Sequence, residues 1–203
     1  MNAVTTRRNT LARGPADASS WRARSILAAV AVLSALLFSV SPAATLTWDP
    51  DGSSGGPTGG DGDWNQTDPS WDDAGAIQPW SNADGDTALF AGDTAGTVTL
   101  TEAISAAGLQ FDTTGYTITG NTLTLTGTPA ITTDTGVTAT IASTLAGTAA
   151  VEKAGDGTLT VSTRATYTGA TTVSAGTLTL ATPNYGRPLA TSDITVASGA
   201  TLD

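Results

Sequence analysis

The sequence predicts an all-β protein, a parallel β-helix of short rungs behind an N-terminal signal peptide helix. Three observations carry this expectation. From Thr97 onward, Thr alternates with Leu, Ile and Val at the two-residue period of a pleated strand. The phrase "GTLT" occurs at Gly157 and again 19 residues later at Gly176, with a degenerate echo 23 further on at Gly199. No stretch of helical period follows the apolar run near the N-terminus.

Residues 1–44 read as the signal peptide. A basic n-region, 1–25, carries Arg7, Arg8, Arg13, Arg22 and Arg24, and an uncharged apolar core, 26–40, leads into "SPAA", with cleavage expected after Ala43 or Ala44. At ~1.5 Å per residue the core spans ~22 Å, short of the ~30 Å of a hydrocarbon layer, so it suits an export signal better than a retained helix. The Arg7-Arg8 pair stands far ahead of the apolar core, which favours the Sec machinery over twin-arginine export. The mature protein is therefore expected outside the cytoplasm, at the cell surface or outer membrane, or in the medium. Neither a GxGxxG nor a GxxxxGK[ST] loop contradicts that placement.

Removing the signal changes the charge. The whole chain of 203 residues has a net charge of −10, but past residue 44 three basic residues (Lys153, Arg164, Arg187) face 17 acidic ones, a net of −14. Such a chain repels phosphate backbones, and nucleic acid is not an expected partner. The absence of His and Cys excludes Ser-His-Asp and Cys-His triads, thiolate chemistry, Cys-based metal centres and disulfides. Carboxylate chemistry and oxygen-ligated metals remain.

The mature chain divides in two. Residues 45–96 form a lead-in or cap rich in Gly, Asp, Pro and Ser that holds Trp48, Trp64, Trp71 and Trp80, four of the five tryptophans. Strands there are expected to be short and their connections long. Residues 97–203 are the repeat region. Strands are expected in "TVTLT" (97–101), "YTIT" (116–119), "TLTLT" (122–126), "VTATI" (137–141), "GTLTV" (157–161), "TTVSAGTLTL" (171–180) and "ITVASGATLD" (194–203). Patches this short, with few aromatics between them, suit a stacked coil better than an immunoglobulin-like sandwich. The region is long enough for on the order of five rungs.

The stretch "AGDGTLTVSTRATYTGATTVSAGTLTLA" (154–181) resembles the autotransporter-associated β-strand repeat, also called the passenger-associated transport repeat. The matching positions are Gly155, Gly157, Thr158, Leu159, Thr160, Tyr167, Thr168, Gly169, Thr171, Thr172, Val173, Gly176, Thr177, Leu178 and Leu180. Departures fall at Thr163-Arg164-Ala165, where the family favours a small residue and Asn, and at Ala170, where it favours Gly. Upstream, "GLQFDTTGYTITGNTLTLTG" (108–127) looks like a more divergent set of rungs. The resemblance implies a right-handed β-helical passenger segment exposed on the cell surface, a scaffold that aids secretion and folding, with no enzymatic activity. Nothing after Gly186 resembles a membrane β-barrel, so the chain is expected to be a fragment anchored only through a further C-terminal region.

Candidate sites are few. Asp49-Pro-Asp51-Gly, Asp61-Gly-Asp63 and Asp84-Gly-Asp86 place hard oxygen ligands in turns where Ca²⁺ could collect, although Asp serves such turns equally well through its own backbone hydrogen bonds. The acids of the repeat region (Glu102, Asp112, Asp134, Glu152, Asp156, Asp193) share no common offset, which argues against the paired carboxylates of a polysaccharidase. Lys153, the only lysine, stands beside Glu152 and is expected to form a solvated charge pair. The tryptophans either stack on sugar rings, as in a carbohydrate-binding adhesin, or form a plug over the first rung; the plug is the favoured reading. An ice-binding threonine array is disfavoured because the threonine spacing wanders along the sequence. No catalytic, cofactor-binding or metal-ligating residue is assigned, and no cofactor is expected. Surface glycans, or a host or neighbouring-cell surface, are the expected partner class.

Overall fold

The computed structural model describes residues 43–53, 55–163, 165–181 and 193–203. Apart from Ala43 and Ala44, the expected signal peptide lies outside the described residues. All regular structure among the described residues is β, and the strands stack as a parallel β-solenoid.

Three ladders run along the solenoid. The first joins β1 (Thr45–Trp48), β5 (Thr87–Phe90), β8 (Gly108–Phe111), β11 (Ala130–Thr133), β14 (Val151–Ala154), β16 (Thr171–Val173) and β18 (Ile194–Val196). The second joins β2 (Gly62–Trp64), β6 (Thr97–Leu100), β9 (Thr117–Gly120), β12 (Thr138–Ile141), β15 (Thr158–Val161), β17 (Thr177–Leu180) and β19 (Thr201–Leu202). The third is short: β7 (Ile104–Ala106), β10 (Leu123–Leu125) and β13 (Leu145–Ala146). Every strand pair along these ladders is parallel. The ladders begin upstream of Thr97, since β1, β2 and β5 already stack in register with the strands that follow.

Period-2 alternation fixes which side chains enter the core. In the second ladder, Val98, Ile118, Ile141, Val161 and Leu180 form one inward column, and Ala139, Leu159, Leu178 and Leu202 form another. In the first ladder, Leu46, Ala88, Leu109 and Ile131 stack inward beside an aromatic column of Phe90 and Phe111, whose rings lie 5.0 Å apart and nearly parallel. β-branched side chains, already restricted at χ1, pack on a pleated wall with little further loss of rotamer freedom.

The turns absorb the irregular sequence period. Thr158 pairs with Thr177, 19 residues on, whereas Thr177 pairs with Thr201, 24 on; this is one more than the 23 residues from Gly176 to Gly199, because Ala200 is taken up in the turn closed by its N–H on the Ala197 carbonyl. Threonine hydroxyls add a second tie between rungs. Those of Thr113, Thr126, Thr163 and Thr166 donate to the carbonyls of Gly92, Ala106, Ser143 and Leu145, one rung earlier. Backbone bonds from Thr166 to Leu145 and from Thr168 to Gly147 carry the third wall onward past β13.

The inward–outward division predicts the response to substitution. Leu159→Ala is expected to cost about 2–5 kcal/mol of stability. Thr160→Ala, one residue away on the outer face, is expected to stay within about 0.5 kcal/mol. Urea denaturation followed by far-ultraviolet circular dichroism measures both.

Candidate functional site

The N-terminal end is the most elaborated part of the described molecule. β3 (Trp71–Asp73) pairs antiparallel with β1, and a hairpin turns it back into β4 (Ala76–Gln78), so the two strands cover the edge that β1 would otherwise expose. The hairpin turns on Ala74 and Gly75, both at positive φ, the conformation that matches strand twist in a two-residue loop. Gly75 N–H also donates to the Asp72 carboxylate at 2.6 Å.

Trp48, Trp64, Trp71 and Trp80 meet under this cover. Trp71 lies 5.1 Å from Trp48 and 4.8 Å from both Trp64 and Trp80, centroid to centroid, and Trp64 meets Trp80 edge-on at 4.9 Å. None of the four is more than 1 % exposed. They form the expected plug over the first rung, and their ring faces are closed to a sugar. The indole N–H groups of Trp48 and Trp80 donate to the carbonyls of Gly60 and Ser105. Those of Trp64 and Trp71 are buried without a partner, so apolar and aromatic packing outweighs two lost hydrogen bonds.

Four of the six aspartates of these turns, Asp49, Asp51, Asp61 and Asp86, accept backbone N–H groups. Asp61 accepts from Thr97 N–H at 2.6 Å and Asp86 from Ala44 N–H at 2.7 Å, while Asp51 accepts from Ser53 N–H at 2.8 Å. Asp49 is fully buried, with one carboxylate oxygen near Thr58 N–H at 3.4 Å and the other unpartnered. No three acidic residues among the described ones converge in a way that could hold a metal ion. Among the repeat-region acids, Glu102 accepts from Gln66 N–H, Asp112 from the Gln110 amide, Asp156 from the Thr135 hydroxyl and Glu152 from the Ser174 hydroxyl.

Lys153 departs from expectation. It is 1 % exposed and forms no solvated pair with Glu152. In "VEKA" the period-2 alternation turns Val151 and Lys153 inward and Glu152 outward, and Lys153 sits between Ile131 and Val173 in an otherwise apolar column. Its ammonium donates to the carbonyls of Ala154 (2.8 Å), Gly155 (2.7 Å) and Ala175 (3.2 Å), tying its own turn to the next. Burial pushes its pKa down, and the nearby Asp156 charge opposes that shift. Charge alone suggested an exposed side chain; the alternation was the signal that could have found it.

The threonines also differ from expectation. Although their sequence spacing wanders, Thr97, Thr117, Thr140, Thr160 and Thr179 stack in one outward column, and Thr138, Thr158, Thr177 and Thr201 in another. Variation in the turns leaves the outer face of the second ladder regular.

Residues 151–180 match the Passenger-associated-transport-repeat family. In the structure, the motif residues have defined jobs: Tyr167 is buried with its hydroxyl 2.7 Å from that of Thr171, and Val173 and Leu178 fill the core. At Gly176, φ is +64°, and a β-carbon would strike the Gly157 carbonyl of the rung below. The chain is also 41 % identical, over 180 residues, to the adhesin BmaC autotransporter of Brucella suis biovar 1 (strain 1330). This is a passenger-associated transport repeat protein. The alignment covers 86 % of the chain but 5 % of that relative, so the chain spans a small part of the relative's length. No solved structure matches the repeat protein significantly.

Two measurements test the cap. Trp71→Ala is expected to lower stability by about 3–5 kcal/mol, read by the urea midpoint and tryptophan fluorescence. Asp49 and Asp86 have pKa values raised by burial, aided by Asp51 and Asp72 around the first and by Asp84 and Asp73 around the second. A raised carboxyl binds its proton more tightly when folded, so its contribution is fully present below the ordinary value of 3.8 and is lost as pH rises through the folded value. The thermal midpoint is therefore expected to climb from neutral pH toward pH 4, and Asp49→Asn should flatten the climb.

Proposed function

We propose that this segment is a non-enzymatic β-solenoid portion of an autotransporter-type passenger, exported by the Sec route and displayed at the cell surface. In this reading it acts as a scaffold whose stacked rungs aid folding of the passenger during secretion. The observation that carries it is the repeat at 151–180, whose strands β14 to β17 stack in register within the solenoid and whose buried Lys153 is spent on backbone carbonyls. The similarity to an autotransporter adhesin supports the same placement. Export without Cys fits a chain that crosses membranes unfolded and then builds its stability from ladders rather than disulfides.

Glycan binding through the tryptophans loses its support, because those rings are buried in the plug. Adhesion through an outer face is the second reading, favoured by the regular threonine columns.

Display of an epitope-tagged full-length protein on intact cells tests the proposal. Wild type is expected to be accessible to antibody and to added protease, and Leu159→Asp, which breaks a rung, to lower display several-fold. Retention of wild type in the cytoplasm would sink the surface assignment, and undiminished display of the broken rung would sink the folding role. A glycan or cell-binding activity of the folded mature segment would favour the second reading.

A further inference from the structure

Each of the three ladders begins with a strand edge, and each edge is treated differently. The β3–β4 hairpin pairs with β1. Among the described residues, β2 and β7 have a strand on one side only. Asp63 is exposed on β2, and Asp51 and Asp68 line the cleft beside it, so two copies of the chain meeting at that edge would oppose like charges. β7 is Ile104, Ser105 and Ala106, and carries no charge.

The backbone of β7 can be followed group by group. Ile104 N–H donates to the Thr122 carbonyl and the Ala106 carbonyl accepts from Thr126 N–H, so these two residues face β10. Ser105 lies between them and faces the other way, toward the start of the stack. One side chain meets this edge twice. Asn82 Oδ1 accepts from Ser105 N–H at 2.8 Å, and Asn82 Nδ2 donates to the Ala103 carbonyl at 3.0 Å. The Trp80 indole N–H donates to the Ser105 carbonyl, also at 3.0 Å. A carboxamide carries the same acceptor and donor as a peptide unit, so the strap from Trp80 to Asn82 stands in for the strand that β7 lacks. Trp80 anchors the strap in the plug, where it is 1 % exposed. Asn82 is half-buried, and its own N–H reaches Gln66 Oε1 at 3.3 Å, while Gln66 N–H donates to Glu102.

We propose that this strap is a guard over a self-complementary edge, and that the edge beneath it takes the β7 edge of a second copy of this chain. Across a two-fold axis two β7 strands run antiparallel. Ser105 of each copy then donates its N–H to, and accepts through its carbonyl from, Ser105 of the other, which is the hydrogen-bonded pair of an antiparallel ladder. An uncharged edge has no repulsion of its own against that meeting, and the side chains of Trp80 and Asn82 occupy the groups that would make it. The guard works wherever the chain folds, whether or not it is displayed on a cell.

Sedimentation velocity of the mature chain over a range of concentrations tests the guard. Wild type is expected to stay monomeric. Asn82→Ala combined with Gln66→Ala removes both Asn82 bonds to the edge and the tie behind them, and the apparent Kd for self-association is expected to fall by about tenfold or more. Far-ultraviolet circular dichroism should not change, because Gln66 is exposed and Asn82 only half-buried. Adding Ser105→Pro deletes an N–H that β10 does not use, and is expected to return the variant to monomer. A monomeric double variant would overturn the proposal. So would association that survives Ser105→Pro, since another surface would then carry it. Loss of the native circular dichroism in the double variant would overturn it as well, because the strap would then support the fold rather than guard an edge. Association of wild type that Ser105→Pro abolishes would show an edge already open, and would also overturn it.

Discussion

The structure depends on one constraint: a parallel rung cannot satisfy its own backbone and must lend its N–H and C=O groups to the rungs on either side. Each strand of a hairpin has its partner within a few residues, but the partner of a solenoid strand lies a full turn away, 19 residues on for Thr158 and 24 for Thr177. Much else in the described chain follows from meeting that requirement. Threonine hydroxyls reinforce the carbonyls of the preceding turn, the Lys153 ammonium gathers three carbonyls around one cation, and Asp61 and Asp86 accept backbone N–H groups across long sequence separations.

Lys153 shows how the constraint reshapes the usual cost of burying a charge. An isolated ammonium in an apolar column is expensive, and its downward pKa shift records that expense. The long aliphatic stem fills the column between Ile131 and Val173, and the head reaches the Ala154 and Gly155 carbonyls where β14 runs into its turn. Packing and capping are combined in one side chain, a combination a leucine at this position would not reproduce.

Much of the fold could be read from alternation and recurrence. Strands β6, β10, β12, β15, β16, β17, β18 and β19 fall within the stretches that the Thr–aliphatic pattern marks, and β9 overruns its stretch by one residue, Gly120. Strands β7, β11 and β14 lie in "AISAA", "PAITT" and "AVEKA", where Ala, Ser, Glu and Lys blur the alternation, and only their stacking on clearer neighbours defines them. The tryptophan plug was legible from clustering, because a stacked coil has to close its end with bulk. The antiparallel hairpin that covers the edge was not, since Trp71–Asp73 and Ala76–Gln78 are too short to carry a period. The straight threonine columns were hidden for another reason: sequence distance counts the turns as well as the walls, and the turns hold the variation.

The direction of the rung-to-rung hydrogen bonds has a mechanical consequence. They run along the stacking axis, so tension applied between the two ends loads each interface in series, and the weakest interface yields first. The N-terminal end is held by the hairpin and four packed indoles. Under load the stack would open one turn at a time and lengthen by paying out roughly a turn of chain at each step. A segment of this kind is a graded extensible element, and its first turns are the last to open.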